Sequence, residues 1–351
     1  MEESRDTDGL GGRDLAPYGW GPRWDALAAD GVAAGLEPGI VVRHDGPAVL
    51  VATGSAVAHA VLSGSTPAMA VGDRVLVGDG VVREVLHRSS LLQRRDPSTG
   101  DGQPIAANVD VVVVVCGLDR PVRAGRIERF VALAWDAGAV PLVVCTKADL
   151  APSDALAEAV AAAEHAAPAT PVIAVSALAG FGLDELRAEL ADRTAVFVGE
   201  SGAGKSTLLN ALAGDDRAAT GDVRAGDAKG RHTTTARELH VLDGFRVIDT
   251  PGVREVGLWA GVDAVDAAFD DLVEFAADCR FRDCEHDGEP GCAVAVAVAD
   301  GRLAATRLES WHHLRKEAAA AELRADPVAA RRAGKRFGRM AREAQRMKRR
   351  D

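Results

Sequence analysis

Residues 199–206 read Gly-Glu-Ser-Gly-Ala-Gly-Lys-Ser and match the spacing G-x-x-x-x-G-K-[ST] of a phosphate-binding loop. Its glycines would let backbone N–H groups wrap around phosphates, and the start of the following helix would add its positive end. Lys205 is expected to reach the terminal phosphates and Ser206 to bind Mg²⁺. An apolar run precedes the loop and a helical pattern follows it, which disfavours an ordinary glycine-rich turn. The predicted nucleotide-binding residues of this segment are Gly199, Glu200, Ser201, Gly202, Ala203, Gly204, Lys205, Ser206 and Thr207.

Two short segments upstream could read a nucleobase. The segment TKAD follows the apolar run LVVC and resembles the [NT]-K-x-D guanine motif, while SAL resembles the loop that contacts guanine O6. A carboxylate in TKAD would accept two hydrogen bonds that adenine cannot donate, which favours GTP over ATP. TKAD alone could be a strand end with a helix cap, but the pair of segments indicates guanine. The predicted base-reading residues are Thr146, Lys147, Ala148, Asp149, Ser176, Ala177 and Leu178.

A third group, downstream of the phosphate loop, could sense the γ-phosphate. Asp249 begins an Asp-Thr-Pro-Gly segment, where it could hold the water shell of Mg²⁺ and Gly252 N–H could contact the phosphate. Between the two lies Arg-His-Thr-Thr-Thr at 231–235. A hydroxyl there, assigned to Thr234, would join Ser206 at Mg²⁺ only when the γ-phosphate is present, which makes a switch.

The residue after this Gly bears on hydrolysis. Val253 stands where Ras-type enzymes carry a glutamine that orients the attacking water, so low intrinsic turnover and hydrolysis assisted by a partner are expected. His232 is a candidate replacement, although contact with RNA or solvent is an equal alternative. The predicted catalytic residues are His232, Lys205, Ser206, Thr234 and Asp249.

A cluster of cysteine and histidine follows the pattern C-x4-C-x-H-x5-C. Three thiolates and one imidazole suit a closed, tetrahedral Zn²⁺ site with a structural role and one ion per chain. Free reduced thiols are the alternative, whereas Cys116 and Cys145 lie in apolar runs and are interpreted as core residues. The predicted zinc ligands are Cys279, Cys284, His286 and Cys292.

The order of the motifs predicts the fold. In ordinary small GTPases the base-reading motifs follow the phosphate motifs, whereas here TKAD and SAL come first, which indicates a circular permutation. Apolar runs alternating with helical patterns predict a doubly wound α/β sheet, and short β-branched runs over residues 39–87 predict a small barrel. Residues 89–108 have the composition of a linker.

These patterns predict a multidomain chain. Its parts are a flexible N-terminal arm (1–35), an OB-like β-barrel (36–90), an α/β circularly permuted P-loop GTPase domain (105–257), and a C-terminal zinc-binding helical domain (258–351).

Charge is distributed unevenly along the chain. The 351 residues carry a formal net charge of −11, yet residues 331–351 hold ten Lys/Arg and two acidic residues, a local charge of +8. This basic tail is predicted to form a helix that meets a polyanion, with a solvated end as the alternative. With no signal sequence or apolar run near the length of a membrane span, and too few cysteines for a disulfide framework, a cytoplasmic protein is expected.

Together these features resemble the ribosome small subunit-dependent GTPase A family of circularly permuted bacterial GTPases. The resemblance extends from about residue 36 to the end and rests on NVDVVVVVCG, RIERFVALAW, TKADL, GESGAGKSTLLN, RHTTTARE, DTPGVRE and CRFRDCEHDGEPGC. It implies a GTPase that acts in maturation of the small (30S) ribosomal subunit, hydrolyses GTP to GDP under stimulation by that subunit and binds 16S rRNA. It also implies one zinc ion and a cytoplasmic monomer.

Two other functions remain open from sequence. A nucleotide-gated RNA-binding module with incidental hydrolysis is mildly favoured by Val253, whereas the complete set of motifs favours a GTPase. A P-loop ATPase or kinase conflicts with TKAD. The arm before residue 36 has no matching counterpart, and its role is not predicted.

Overall fold

A computed structural model describes residues 14–44, 48–64, 66–95, 102–214, 237–249 and 261–325, without the side chains of 94, 95 and 321–325. The chain divides into two compact units. The first comprises Met1–Gln93 with Gln103–Val256, and the second comprises Arg94–Gly102 with Gly257–Asp351. The division into a barrel, a GTPase domain and a C-terminal domain predicted above therefore stays a prediction.

The first unit contains a closed five-stranded barrel. Strands β1 to β5 are hydrogen-bonded in the order β1-β2-β3-β5-β4, and β4 pairs back to β1. Side chains alternate between the two faces of a strand, and the β-branched Val41, Val51 and Val75 face the interior and fill it. The prediction of an OB-like barrel is confirmed. Its strands are β1 (Glu37–His44), β2 (Ala48–Thr53), β3 (Val57–Leu62), β4 (Arg74–Gly78) and β5 (Val81–Val85).

The prediction of a flexible arm is wrong for the part before the barrel that the structure describes. Ala16–Tyr18 form a 3₁₀ turn and Pro22–Ala33 form helix α1. Trp24 is buried against the barrel side chain Leu76. Arg74 lies over the Trp24 ring, 5.1 Å from its centre, and donates hydrogen bonds to the carbonyls of residues 18 and 19. The helix was missed because few large apolar residues mark it. Residues 1–13 lie outside the described residues.

The prediction of a linker after the barrel is also wrong. Strands β6 (Leu91–Arg95) and β7 (Gly102–Ala107) form a two-stranded sheet. Leu92 and Ile105 are fully buried, so tertiary packing overrides the Pro and Gly content that suggested a linker. Residues 96–101 lie outside the described residues.

A mostly parallel sheet forms the rest of the first unit. Its strand order is β10-β9-β8-β11-β13-β12, in which only β12 is antiparallel to its neighbour in this group. Strand β12 also pairs with β1 of the barrel, so all these strands belong to one eleven-stranded sheet. The strands are β8 (Val111–Gly117), β9 (Val140–Thr146), β10 (Val172–Ala174), β11 (Thr194–Gly199), β12 (Glu238–Leu242) and β13 (Phe245–Asp249).

Helices connect these strands where the sequence predicts them. Val113, Val144 and Phe197 of the sheet pack with Leu186 and Leu208 of the helices in one core. The central strands are apolar throughout because both faces of a parallel sheet are covered. The helices are α2 (Ala124–Asp136), α3 (Ser153–Ala166), α4 (Leu183–Leu190) and α5 (Lys205–Ala213).

The second unit is helical, as predicted. Phe269 and Trp311 are buried in its core, and Arg307 donates hydrogen bonds to both carboxylate oxygens of Asp271 at 2.6 Å. Its helices are α6 (Val262–Ala268), α7 (Asp270–Ala276), α8 (Ala293–Ala299) and α9 (Ala305–Ala325). Across the described part of the chain, no helix combines the length and apolar character that crossing a membrane requires. The basic tail, residues 331–351, lies outside that part.

Candidate nucleotide site and metal centre

The phosphate loop connects strand β11 to helix α5. Gly199 has a φ of +141°, and a Cβ there would lie 2.3 Å from the carbonyl oxygen of Val115 in the adjacent strand, so only glycine fits. Gly202 and Gly204 have φ values of +79° and +92°, which bulkier residues rarely adopt. The chain can therefore turn sharply out of the sheet and start a helix at Lys205.

The polar side chains of this loop differ in their environment: one contacts the loop itself, and the others face solvent. The Lys205 ammonium donates to the carbonyls of Gly199 and Glu200, both at 2.6 Å, so it lies over the loop. Ser206 and Thr207, on the first turn of α5, are exposed. The helix start thus presents backbone N–H groups, an ammonium and a hydroxyl together, which is suitable chemistry for a phosphate and its divalent cation.

The TKAD segment contacts the phosphate loop directly. Thr146 ends strand β9 and is buried, and its hydroxyl donates to the carbonyl of Ala203 at 2.5 Å. Lys147 has a φ of +62°, and its ammonium donates to the carbonyl of Gly202 at 2.8 Å. Two consecutive residues of the base-reading segment therefore fix its position relative to the phosphate loop.

The SAL segment is linked to the same motif. The Ser176 hydroxyl is buried and donates to one carboxylate oxygen of Asp149 at 2.5 Å, while it accepts from the N–H of Ala179 at 3.1 Å. Asp149 itself is exposed, and Leu178 is 84% exposed. Ala148, by contrast, is buried and donates its N–H to the carbonyl of Val175. The serine thus orients a carboxylate that remains accessible to a base.

The switch residues are only partly described. Asp249 ends strand β13, which pairs in parallel with β11, and it is exposed. Because the carboxyl ends of parallel strands meet at one edge of a sheet, Asp249 and the phosphate loop share that edge. The predictions for His232, Thr234, Gly252 and Val253 lie outside the described residues.

Sequence reasoning missed a set of ion pairs beside this site. Asp119, just beyond strand β8, pairs with the Lys147 ammonium at 2.9 Å and with Arg120 at 3.2 Å. Arg120 also lies 3.7 Å from Glu200 of the phosphate loop, and Arg126 of α2 pairs with the same carboxylate. The hydrogen bonds from Lys147 and Arg120 lower the pKa of Asp119 to about 2. The signal for these ion pairs was the dipeptide Asp119-Arg120, which follows strand β8, the neighbour of β11 in the sheet.

The predicted metal ligands come together in the second unit. Their donor atoms all lie within 4.8 Å of one another, so the cluster could hold a metal ion. The Nδ1 atom of His286 lies 3.6 Å from Sγ of Cys279 and 3.5 Å from Sγ of Cys292. Tetrahedral zinc with ordinary bond lengths would place a sulfur and a nitrogen ligand about 3.6 Å apart. The residues therefore fit such an ion, with Nδ1 as the histidine ligand atom; the fourth ligand is Cys284.

Neighbouring groups hold the metal ligands in place. The Glu289 carboxylate accepts N–H bonds from Glu285 and Asp287 at 2.9 and 2.8 Å, which shapes the loop that carries His286. Burial lowers the pKa of His286, which favours the neutral imidazole that a metal needs. Its ring lies 5.3 Å from that of Trp311. The backbone N–H groups of residues 293 and 295 donate to two of the sulfurs.

A phosphate loop and a guanine-type motif at one edge of a mostly parallel sheet define a P-loop nucleotide-binding domain of the GTPase class. The base-reading strands β9 and β10 precede the phosphate-loop strand in the chain, so the domain is circularly permuted. Strands β1 to β5 add a barrel and the Cys/His cluster adds a candidate metal centre.

Comparison with known proteins identifies the family. Residues 85–259 match the family model RsgA GTPase. The chain is 46% identical over 315 residues to the small ribosomal subunit biogenesis GTPase RsgA of Streptomyces coelicolor, with 86% of each chain covered. It is 44% identical over 276 residues to the protein of that name from Syntrophotalea carbinolica, covering 74% of this chain and 75% of the relative. The chain belongs to the RsgA GTPase family, as the sequence resemblance predicts.

Two solved structures agree with this fold. YjeQ from Thermotoga maritima aligns with a TM-score of 0.61 at 29% identity and covers 81% of this chain and 98% of its own. YloQ, described as a circularly permuted GTPase, aligns with a TM-score of 0.57 at 25% identity and covers 81% of this chain and 96% of its own. The circular permutation inferred from the motif order is confirmed.

Proposed function

We propose that this GTPase acts in late maturation of the small ribosomal subunit, where it binds 16S rRNA and hydrolyses GTP under stimulation by the subunit. The convergence of the phosphate loop with TKAD and SAL carries the nucleotide half of the proposal. The ribosomal half is supported by relatives named for small ribosomal subunit biogenesis. We further propose that the protein works in the cytoplasm as a monomer.

The loop residues have distinct roles in this proposal. The N–H groups of residues 199–207 bind the phosphates, and the Lys205 ammonium offsets their negative charge. Ser206 would hold Mg²⁺ together with Thr234, and Asp249 would orient its water shell. When bound, Mg²⁺ would neutralise charge that develops on the phosphate oxygens. Gly252 would contact the γ-phosphate.

Base selection is assigned to the TKAD and SAL residues. Asp149 would accept the paired N–H donors of guanine, while the hydrogen bond from Ser176 keeps the carboxylate turned toward them. Because Asp149 is exposed, its selectivity depends on a bound base covering it and excluding water. The Lys147 stem would lie along the base, and the backbone of residues 176–178 would contact guanine O6.

Zinc is proposed as the ion of the Cys/His cluster. Three sulfurs and one imidazole nitrogen at tetrahedral spacing suit zinc better than oxygen-seeking cations such as Mg²⁺ or Ca²⁺. The donor set is complete with four protein ligands, so a structural role is proposed. His232 is retained as a candidate for orienting the attacking water.

The decisive experiment measures GTP hydrolysis while purified small ribosomal subunits are titrated. We expect slow basal turnover and strong stimulation, and large subunits as a control should give none. Lys205→Ala should abolish turnover with and without small subunits, because the phosphate charge loses its partner. GTP-dependent binding to the subunit without stimulated hydrolysis would instead support a nucleotide-gated RNA-binding module.

A further inference from the structure

Three loops meet at one edge of the parallel sheet. Strand β8 lies between β9 and β11, so the loops that follow these strands are neighbours. Asp119 lies on the first loop, Lys147 on the second and Gly202 on the third. None of the sequence motifs assigns a role to Asp119.

The Lys147 ammonium joins all three loops. It lies 2.9 Å from Oδ2 of Asp119 and donates to the carbonyl of Gly202 at 2.8 Å. Both partner oxygens therefore bind one ammonium, whose four-carbon stem belongs to the base-reading segment. A cation held at two points has less freedom to swing away than one held by a single carbonyl.

The local backbone makes room for the Asp119 carboxylate. A Cβ at Gly117 would lie 2.7 Å from Oδ1 of Asp119, so any larger residue would displace the carboxylate. Arg120 donates to both of its oxygens, at 3.4 and 3.2 Å. The same guanidinium approaches Glu200 at 3.7 Å, which extends the contact to the phosphate loop.

Exposed ion pairs often contribute little, yet this pair differs from a simple surface pair. The side chains of Asp119 and Lys147 are only 30% and 29% exposed, and the pair spans two loops of the nucleotide site. Because Lys147 and Arg120 hold the pKa of Asp119 at about 2, the carboxylate is ionised under all working conditions. Its contribution would be lost only as the pH falls toward that value, so it should be constant between about pH 5 and pH 8.

We propose that Asp119 is a positioning residue for the guanine nucleotide: it holds the Lys147 ammonium against the phosphate loop and thereby slows nucleotide release. The inference rests on the proposed function, because it requires the Lys147 stem to lie along the bound base. Asp119 does not contact the reacting phosphates in this account, and it acts only through Lys147.

The test is the release rate of a fluorescent methylanthraniloyl GDP from the full chain in Mg²⁺ buffer. Asp119→Asn preserves the shape of the side chain but removes its charge, and we expect release to be about three to ten times faster. Arg120→Gln, which leaves the Lys147 pair intact, should have a smaller effect. The matched control is Asp79→Asn, which removes an exposed ion pair with Arg83 of the barrel.

Salt distinguishes an electrostatic role from a packing role. Raising KCl from about 0.05 M to about 1 M should accelerate release from the wild type, because screening weakens the pair, and should change Asp119→Asn much less. Unchanged release from Asp119→Asn, or faster release with the wild-type salt dependence, would overturn the proposal while a preference for GTP over ATP still upheld the proposed function. Equal binding of GTP and ATP by the wild type would overturn both.

Discussion

The nucleotide loop and the Cys/His cluster are stabilised in different ways. Around the nucleotide loop, protein groups fix one another, since Thr146 and Lys147 donate to carbonyls of a loop far away in the sequence. In the cluster, three sulfurs and one nitrogen lie within 4.8 Å of one another, an arrangement that could hold a metal ion. The first site is organised by contacts within the sheet, whereas we propose that the second is organised by a bound ion.

Removing the metal should have the largest effect. Structural zinc contributes on the order of 10 kcal/mol to the folding of small zinc domains. Chelation, or Cys284→Ala, should therefore make the backbone amides of residues 279–292 exchange hydrogen faster, while GTP binding stays nearly unchanged. Elemental analysis should find one zinc per wild-type chain.

The matched control for this experiment is Cys116→Ala. Cys116 lies in strand β8, outside the cluster, so this variant should keep its full metal content. A metal-free chain whose amides at residues 279–292 still exchanged slowly would show that the ion does not organise the second site.

The next largest effect should come from changing the base reader. Asp149→Asn should reduce GTP affinity about a hundredfold and favour xanthosine nucleotides, because an amide offers guanine a donor where it needs an acceptor. Competition binding with GTP, XTP and ATP measures this change. Asp154→Asn, an exposed carboxylate on the first turn of α3, is the control and should bind like the wild type. A wild type that binds ATP as well as GTP would refute the role of Asp149.

A smaller effect is expected from loosening one contact between the sheet and the nucleotide loop. Thr146→Val keeps the side-chain shape but leaves the buried Ala203 carbonyl without its donor, at a cost of about 1–3 kcal/mol. GTP affinity, measured by calorimetry, should fall about tenfold. Thr194→Val removes another buried threonine of the same sheet, whose hydroxyl accepts a hydrogen bond from Arg246. This variant should reduce stability without reducing GTP affinity. Equal affinities in the two variants would argue against preorganisation of the loop by β9.

Much of both sites could be predicted because each motif that forms them is short and continuous in the sequence. The phosphate loop needs glycines at fixed offsets, and the cluster needs ligands at short spacing, so the linear pattern carries the geometry. Valine-rich strands such as β8 were also evident, because strands covered on both faces are apolar throughout.

The missed features all depend on contacts between distant residues. Helix α1 buries only Trp24 and Ala28, too few for a clear periodicity. The strands β6 and β7 are strands because they pair, despite their Pro and Gly. Asp119 lies beside Lys147 only because β8 and β9 are neighbours in the sheet, an arrangement that no local pattern specifies.

The pairing of β12 with the barrel has a consequence for solubility. An open edge strand exposes N–H and C=O groups that can pair with another molecule and start aggregation. Here β1 lies against the outer side of β12, with Arg43 opposite Glu238, and the barrel that contains β1 closes on itself. At the other end of the eleven-stranded sheet, β10 has only three residues and offers little to pair with. A chain truncated to the nucleotide domain would thus expose the edge strand β12, which the barrel normally covers, and would be prone to aggregate.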